Sequence, residues 1–181
     1  RPVQKIVGPG NVYVTLAKMM LREHAEIDFP AGPSEIGIIA DSTAHPKVVA
    51  ADVLAQAEHD PNAACILIIT DPALPAKVGK EIEKMVSEAP RKEIIVEALK
   101  NSGYTVVKDI DEAIAASDVV APEHLSIQVA DPLTVVTKVQ NAGAIFVGRY
   151  SAVACGDYAV GTNHCLPTAG YSKMYSGLDV A

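Results

Sequence analysis

Short aliphatic runs that alternate with longer helical segments are the feature that most restricts how this chain can fold. Runs of strand length occur at Ile36–Asp41, Cys65–Thr70, Tyr104–Lys108 and Ala144–Gly148. Glycine and proline mark most of the breaks between these runs and the helical patterns around them. Such alternation predicts an α/β fold with a doubly wound, mostly parallel sheet and helices on both of its faces.

The helical segments are predicted from their apolar spacing and from the proline and glycine residues near their ends. Pro46 suits the first turn of a helix, because that turn needs no N–H group from it. The predicted helices are Val12–His24, Pro46–His59, Ala76–Ser87, Arg91–Asn101, Asp111–Ser117 and Pro132–Asn141. We also expect a short strand at Asp118–Val120 and a domain boundary near Gly32–Ser34, where regular strand–helix units begin.

Composition narrows the choice of core and of partners. Hydrophobic residues make up 49% of the 181 residues, aromatics only 4%, and tryptophan is absent, so the core must be aliphatic. The net charge of −7 offers no basic surface for nucleic acid, although a nucleotide cofactor can still bind through backbone N–H groups. No apolar stretch approaches the ~18 residues of a membrane span.

The three cysteines, Cys65, Cys155 and Cys165, favour a reducing compartment. Their number is odd and they form no C-x-x-C pair, so we expect a cytoplasmic protein without a disulfide framework. Cys65 lies in an apolar run and is expected in the core. Cys155 and Cys165 have no activating partner in the sequence, which argues against a cysteine hydrolase.

Gln56 and His59 lie three residues apart near the end of the helix predicted from Pro46. They would share one helix face, where an amide oxygen and an imidazole nitrogen can hold one metal ion. Asp52, one turn earlier, is a candidate partner behind these ligands. The alternative is a solvated helix end at which His59 only complements the helix dipole.

Glu123 and His124 follow the strand expected at Asp118–Val120, so they would lie at the carboxyl end of a strand. Ligand sites of open α/β sheets collect at that edge. A carboxyl group beside an imidazole is suited to moving protons in both directions near neutral pH. The alternative is a loop with two ordinary polar residues.

Asp157 lies between Gly156 and Gly161, and these glycines let the backbone approach a ligand closely. Its carboxylate is a candidate to complete a metal set with the amide and the imidazole of the preceding helix. The alternative is an irregular loop held by side-chain turns. Thr162 and His164 are expected to be structural.

Two further turns are weaker candidates for binding. Gly8–Asn11 lies between a strand and a helix and can offer N–H groups to a phosphate or a ribose, but it lacks the G-x-G-x-x-G pattern. Ser34 follows Gly32 and Pro33, and its hydroxyl either binds a substrate or begins a turn.

Taken together, five segments resemble the histidinol dehydrogenase family. They are Lys5–Asn11, Ala31–Glu35, Gln56–His59, Pro122–Leu125 and Gly156–Thr168. The resemblance covers essentially the whole chain in the family's order. It implies a Rossmann-like fold in which residues 1–34 end a preceding domain on the NAD side. Residues 35–181 would then form the main domain and carry most of the zinc and catalytic site.

The resemblance also implies an activity. Members of the family oxidise L-histidinol to L-histidine through L-histidinal, the last step of histidine biosynthesis. They do so by two hydride transfers to NAD, with one zinc ion in each site. The chain is therefore expected to belong to a cytoplasmic homodimer in which the partner subunit completes each site.

The family's site residues map onto matching positions of this sequence. The zinc ligands would include Gln56, His59 and Asp157. The acid/base pair would be Glu123 and His124. The substrate would contact Ser34, Gln56, His59, His124 and Asp157, and NAD would contact Asn11.

Two parts of the family pattern are absent from this sequence. The fourth zinc ligand, a histidine, and a substrate-binding glutamate belong to a later segment, and the family's N-terminal half supplies much of the NAD site. The sequence also begins at Arg1 without an initiator methionine. We therefore expect a fragment that binds zinc weakly and has no dehydrogenase activity alone. The alternative is a non-enzymatic Rossmann-like module that binds a small ligand or a partner chain.

Overall fold

The computed structural model of the protein describes residues 1–8, 12–158 and 160–177. Its strands are β1 (Lys5–Ile6), β2 (Glu26–Ile27), β3 (Glu35–Ala40), β4 (Ala64–Ile69), β5 (Gly103–Val106), β6 (His124–Gln128) and β7 (Ala144–Val147). Its helices are α1 (Val12–Leu21), α2 (Pro46–Ala57), α3 (Leu74–Glu88), α4 (Lys92–Leu99), α5 (Ile110–Val120) and α6 (Pro132–Val136). Short 3₁₀ helices occur at Val153–Asp157 and Tyr171–Lys173.

Five strands form one sheet in the order β5-β4-β3-β6-β7, and every pair of neighbours is parallel. The chain adds strands first on one side of β3 and then on the other. This is the doubly wound, parallel α/β sheet that the alternating pattern predicts. The short strands β1 and β2 pair in parallel in a separate two-stranded sheet.

The strands of the large sheet bury aliphatic side chains on both faces, as the aliphatic composition requires. In β3, Ile36 and Ile38 pack with residues of α2, α3 and α4, whereas Ile39 packs on the other face with residues of α5 and α6. Side chains alternate across a strand, so one continuous aliphatic run fills two cores. The expectation of helices on both faces is confirmed.

The strand expected at Asp118–Val120 is wrong. These residues form the last turn of α5, which begins at Ile110 and is capped by Asp109. The helix ends because Ala121 adopts a left-handed conformation, with φ 53°, directly before Pro122, and proline disfavours helix in the residue that precedes it. The strand comes later, as β6, so Glu123 and His124 lie at the amino end of a strand and not at a carboxyl end.

Other predicted elements are confirmed with shifted ends. The first helix ends at Leu21 and the last at Val136, both earlier than their apolar patterns indicate. The two-residue strand β2 lies in a stretch that the sequence does not mark as a strand. The domain boundary near Gly32–Ser34 stays a prediction.

Helix α1 is unlike the others, because its apolar side chains are largely exposed and its one buried residue is Lys18. The Lys18 ammonium forms an ion pair with the buried Asp28 carboxylate. Among the described helices, none combines the length and the apolar character needed to cross a membrane.

Gly37 tests how closely Pro122 packs on the central strand. A Cβ atom at Gly37 would lie 2.9 Å from the Pro122 ring, so we expect Gly37→Ala to lower the free energy of unfolding by about 1–3 kcal/mol.

Gly79 is the control, because it lies inside α3, where an added Cβ atom would have open space for 4 Å around it. Gly79→Ala should raise stability by about 0.5–1 kcal/mol. Urea unfolding measures both, and equal effects would contradict the packing argument.

Candidate active site

The candidate site lies at the amino-terminal edge of the large sheet. Ser34 directly precedes β3, and His124 is the first residue of the neighbouring strand β6. Parallel pairing sets Ile36 opposite His124, so residues far apart in the sequence meet at this edge. The last turn of α2 passes the same edge and brings Gln56 to it.

One cavity of about 540 Å³ collects the predicted residues. Those that line it are Ser34, Gln56, His59, Glu123, His124 and Asp157. Asn11, the predicted NAD contact, lies outside the described residues. Side chains from four separate segments thus meet in one cavity.

Glu123 is buried, with 6% of its surface exposed. One carboxylate oxygen accepts the backbone N–H of Glu35 at 3.0 Å, and the Ser34 side chain donates a second hydrogen bond. Burial, helped by the charges of Glu35 and Asp157 and opposed by these two hydrogen bonds, raises the pKa of Glu123 to about 7. A carboxyl group with this pKa exchanges a proton readily near neutral pH.

The backbone beneath Glu123 is held by Gly143 and Ala144. The Ala144 N–H donates to the Glu123 carbonyl at 2.8 Å, and the Gly143 N–H donates to the Pro122 carbonyl at 3.0 Å. A Cβ atom at Gly143 would lie 2.6 Å from the Glu123 carbonyl oxygen. Glycine is therefore required here, because any side chain would push Glu123 out of place.

His124 is fixed by a hydrogen bond and by a ring contact. Its Nδ1 atom lies 3.0 Å from the Gln56 amide oxygen. Because that oxygen can only accept, Nδ1 carries the proton and Nε2 keeps its lone pair. Burial lowers the pKa of His124, which favours the neutral ring. The ring centroid of Phe146 lies 5.9 Å away, so the imidazole has an apolar side as well.

Gln56 and His59 differ in their surroundings. Gln56 is buried in the last turn of α2, with 5% of its surface exposed. His59 lies just beyond the helix end at Ala57 and is exposed, but its N–H still bonds to the Gln56 carbonyl at 3.2 Å. The helical turn therefore continues far enough for both side chains to line the cavity.

Asp157 is the last residue of the 3₁₀ helix Val153–Asp157 and is exposed on the cavity wall. The Thr162 hydroxyl donates to the Gly156 carbonyl at 3.1 Å and ties the following loop back to this helix. This contact agrees with the structural role expected for Thr162. His164, also expected to be structural, lines the same cavity as Asp157.

The donor types around the cavity fit a zinc ion. An amide oxygen, an imidazole nitrogen and a carboxylate oxygen, from Gln56, His59 and Asp157, face one space, and zinc accepts nitrogen and oxygen ligands of these kinds. Among the described residues, no group of three or more His, Cys, Asp or Glu side chains is placed to hold a metal. A structural or catalytic zinc ion commonly takes four ligands, so these three side chains alone would leave one position to fill.

Gly8 is the one described residue of the predicted Gly8–Asn11 turn, and its N–H group already bonds within the chain. The Gly8 N–H donates to the Asp28 carboxylate at 2.8 Å, and Lys18 donates to the Gly8 carbonyl at 2.9 Å. An internal carboxylate thus occupies a donor that a phosphate would use. The phosphate interpretation of this turn gains no support from Gly8.

At the carboxyl-terminal edge of the sheet, where doubly wound folds commonly bind ligands, a carboxylate of the chain bonds to the neighbouring loops. Asp41 follows β3, and its carboxylate accepts the N–H groups of Thr43 at 2.8 Å and Ala130 at 2.9 Å. These bonds join the loops that follow β3 and β6. The predicted catalytic pair therefore lies at the opposite edge from the one that its sequence context indicates.

Three contributors to the site are not evident from the sequence. Phe146 lies on an edge strand and meets His124 only through the sheet pairing. Gly143 follows a predicted helix, and its position indicates only the end of that helix. The Glu35 N–H group bonds to the Glu123 carboxylate. In the sequence, the position of Glu35 next to Ser34 is the one feature that could have indicated its place in the site.

Comparison with known proteins identifies the family. The profile described as histidinol dehydrogenase matches residues 1–181. The chain belongs to the histidinol dehydrogenase family. A histidinol dehydrogenase from Methanosarcina barkeri is 52% identical over 178 residues, which are 98% of this chain and 41% of the relative. This member of the family thus spans less than half the length of the curated relatives it matches.

Solved structures agree with this assignment. The crystal structure of histidinol dehydrogenase from Elizabethkingia anophelis matches with a TM-score of 0.94 and 44% identity, over 98% of this chain and 41% of that one. A gamma-glutamyl phosphate reductase from Thermotoga maritima matches with a TM-score of 0.59 and 14% identity, over 94% of this chain and 50% of that one. At so low an identity, the second likeness shows the fold alone.

The raised pKa of Glu123 predicts how stability depends on pH. The ordinary pKa of Glu123 is 4.5, and its pKa in the folded chain is about 7. Between these two pH values the folded chain holds a proton that the unfolded chain has lost, so the free energy of unfolding falls as pH rises. In the metal-free chain, we expect the free energy of unfolding of Glu123→Gln to rise by about 3 kcal/mol relative to that of the wild type between pH 4 and pH 8. Urea unfolding across this range measures the gain.

The matched control is Glu83→Gln, at an exposed carboxylate on α3. Glu83 does not line the cavity, so we do not expect its replacement to produce the gain of about 3 kcal/mol expected for Glu123→Gln. A constant difference between Glu123→Gln and the wild type would show that Glu123 titrates in the folded chain as it does in the unfolded one.

Proposed function

We propose that this chain carries the metal-binding and proton-transfer residues of a zinc-assisted, NAD-dependent oxidation of L-histidinol to L-histidine through L-histidinal. The observation that supports it is the meeting of Glu123 and His124 with three metal-donor side chains in one cavity, in a chain of the histidinol dehydrogenase family. A non-enzymatic binding module would have no need of a buried carboxyl group beside a half-buried imidazole.

The cofactors belong to the proposal. Zinc would be held by Gln56, His59 and Asp157 together with a further ligand, and when bound it would orient the amino alcohol through its amine and imidazole. NAD supplies the hydride acceptor when bound, and the proposal keeps Asn11 as a contact. The same proposal includes a cytoplasmic homodimer in which a second subunit completes the site. The exposed apolar side chains of α1 offer a surface for such additional contacts.

His124 is the base of both oxidations in this proposal. Its Nδ1 proton is directed at the Gln56 amide oxygen, so Nε2 is the atom that takes the proton of the substrate hydroxyl. The lowered pKa keeps the ring neutral and ready to accept a proton. Once that first proton has passed to solvent and the aldehyde has been hydrated, the free Nε2 takes the proton of the resulting diol.

Glu123 acts on water between the two oxidations. The aldehyde must be hydrated before a second hydride can leave, and a carboxyl group with a pKa of about 7 takes a proton from water far better than an ordinary glutamate would. The His124 Nδ1 atom lies 3.7 Å from a Glu123 carboxylate oxygen, close enough for the charge on one group to affect the other. The two residues therefore have different tasks in this proposal. His124 takes protons from the substrate, and Glu123 takes a proton from water.

Removal of the base tests the proposed reaction. In the whole protein, we expect His124→Ala to lower kcat by about 10²–10⁴-fold with little change in KM, because the imidazole moves protons without holding the substrate alone. NADH formation from L-histidinol, followed by absorbance, measures the effect. The control is His24→Ala, an exposed histidine just after α1. Unchanged turnover in His124→Ala would remove the catalytic assignment.

Removal of a donor tests the metal set. We expect His59→Ala to weaken zinc binding by at least about 10-fold, whereas His24→Ala leaves it unchanged. Competition with a chromophoric chelator measures the affinity of each variant. Equal zinc affinity in His59→Ala and the wild type would show that the cavity does not use this imidazole.

A further inference from the structure

A polar seam joins α2 to β6 where an aliphatic contact is the usual arrangement. Three alternate residues of β6 face α2, and all three are polar. The two residues of α2 that lie opposite them are polar as well. The polar seam consists of Asp52, Gln56, His124, Ser126 and Gln128. Its outer end is the Gln56–His124 hydrogen bond of the candidate site, and its inner end is built around Asp52.

Asp52 is the acceptor at the centre of the inner end. Only 3% of its surface is exposed, and Ser126 is fully buried. The Ser126 hydroxyl donates to one Asp52 carboxylate oxygen at 3.0 Å, and the Gln128 amide donates to the Ser126 oxygen at 3.0 Å. A buried carboxylate persists only where donors are aimed at it, so the side chains of α2 and β6 hold one relative position.

The second oxygen of Asp52 reaches a third segment. It accepts the N–H of Val153 at 3.2 Å, across 101 positions in sequence. Val153 is the first residue of the 3₁₀ helix that ends at Asp157, and the preceding Ala152 gives that helix no side-chain cap. Asp52 therefore caps, from a distance, the short helix that carries a proposed metal donor.

One carboxylate thus connects the three segments that bear the proposed metal and proton-transfer residues. Asp52 lies one turn before Gln56 on α2, Ser126 lies two residues after His124 on β6, and Val153 lies four residues before Asp157. Each connection is short and buried, so displacement of Asp52 must be felt in all three segments.

We propose that Asp52 is a positioning residue that sets the distance between the α2 metal donors and Asp157 by bonding both β6 and the 3₁₀ helix. The proposal rests on the proposed function, because it takes Gln56, His59 and Asp157 as metal donors. It assigns no contact between Asp52 and substrate or metal. A purely structural Asp52 would contribute to folding stability without affecting the metal affinity of the folded protein.

The first experiment compares variants of the whole protein under conditions in which each is folded, as checked by circular dichroism. Asp52→Leu keeps the size of the side chain and removes both acceptors, so we expect zinc affinity to fall about 10–100-fold. Asp52→Asn keeps an acceptor for Val153 and a partner for Ser126, so it should restore the affinity to within about 3-fold of the wild type. Zinc competition with a chromophoric chelator gives the values.

Val53→Ala is the matched control for loss of stability. Val53 is the neighbour of Asp52 on α2, is buried, and faces the aliphatic core instead of the polar seam. The variant should lose stability in urea unfolding and keep its zinc affinity. Equal losses of zinc affinity in Val53→Ala and Asp52→Leu would overturn the proposal, as would an unchanged affinity in Asp52→Leu.

Ser126→Ala keeps the proposal testable if Asp52→Leu does not fold. It removes one of the two bonds made by Asp52 and leaves the Val153 bond in place, so we expect a loss of about 3–10-fold in zinc affinity. An unchanged affinity in a folded Ser126→Ala, together with an unfolded Asp52→Leu, would show that the network serves folding alone.

A double variant separates this proposal from the metal assignment itself. Asp157→Asn should weaken zinc binding in the wild-type background and much less in the Asp52→Leu background, because Asp157 is already displaced there. If Asp157→Asn has no effect in the wild type, the proposed metal set fails. If Asp157→Asn weakens binding equally in both backgrounds, the metal set stands and the positioning role of Asp52 is overturned.

Discussion

Parallel pairing of β3 with β6 is the constraint on which the rest of the site depends. The ladder sets Ile36 opposite His124 and thereby brings the Glu35 N–H within reach of the Glu123 carboxylate. A slip of one residue would turn His124 to the other face of the sheet, away from α2. The apolar residues of β6, Leu125 and Ile127, prevent such a slip because they must remain in the opposite core.

The same pairing explains how an aliphatic protein carries a buried acid, Glu123, beside a half-buried base, His124. On one face of β6 the side chains are apolar and pack with α5 and α6, and on the other they are polar and meet α2. Glu123 and His124 each have a hydrogen-bond partner on a neighbouring segment. Burial of Glu123 is unfavourable only for the charged carboxylate. The effect of this burial is a raised pKa.

The sequence predicts the fold well, because long aliphatic runs such as those of β3 and β4 can only be buried strands. It misses β6, whose polar Ser126 and Gln128 alternate with apolar residues, because the other strands are recognised as continuous aliphatic runs and not by alternation. It fails again at Asp118–Val120, whose apolar end belongs to a helix that stops only at Pro122. Two-residue strands such as β2 depend on a partner far along the chain, so no local pattern marks them.

Much of the candidate site can be predicted from the sequence, because chemically distinctive residues form short motifs and because these motifs resemble a family. Proton transfer and metal binding need Glu, His, Asp and Gln, and such residues stand out against an aliphatic background. Phe146 and Gly143 do not stand out, because an apolar ring and a glycine occur throughout any such fold. Their importance comes from what lies next to them in space: the His124 ring in one case and the Glu123 carbonyl in the other.

The Asp41 carboxylate at the far edge of the sheet has an evolutionary consequence. Doubly wound sheets usually bind a ligand between their central strands. Here the Asp41 carboxylate already accepts the N–H groups of Thr43 and Ala130. The described loops at that edge carry none of the residues proposed for metal binding or proton transfer, so these residues place no restriction on the lengths of the loops. The amino-terminal edge has no such tolerance, because one residue added before β3 or β6 would separate donors that the ladder holds together.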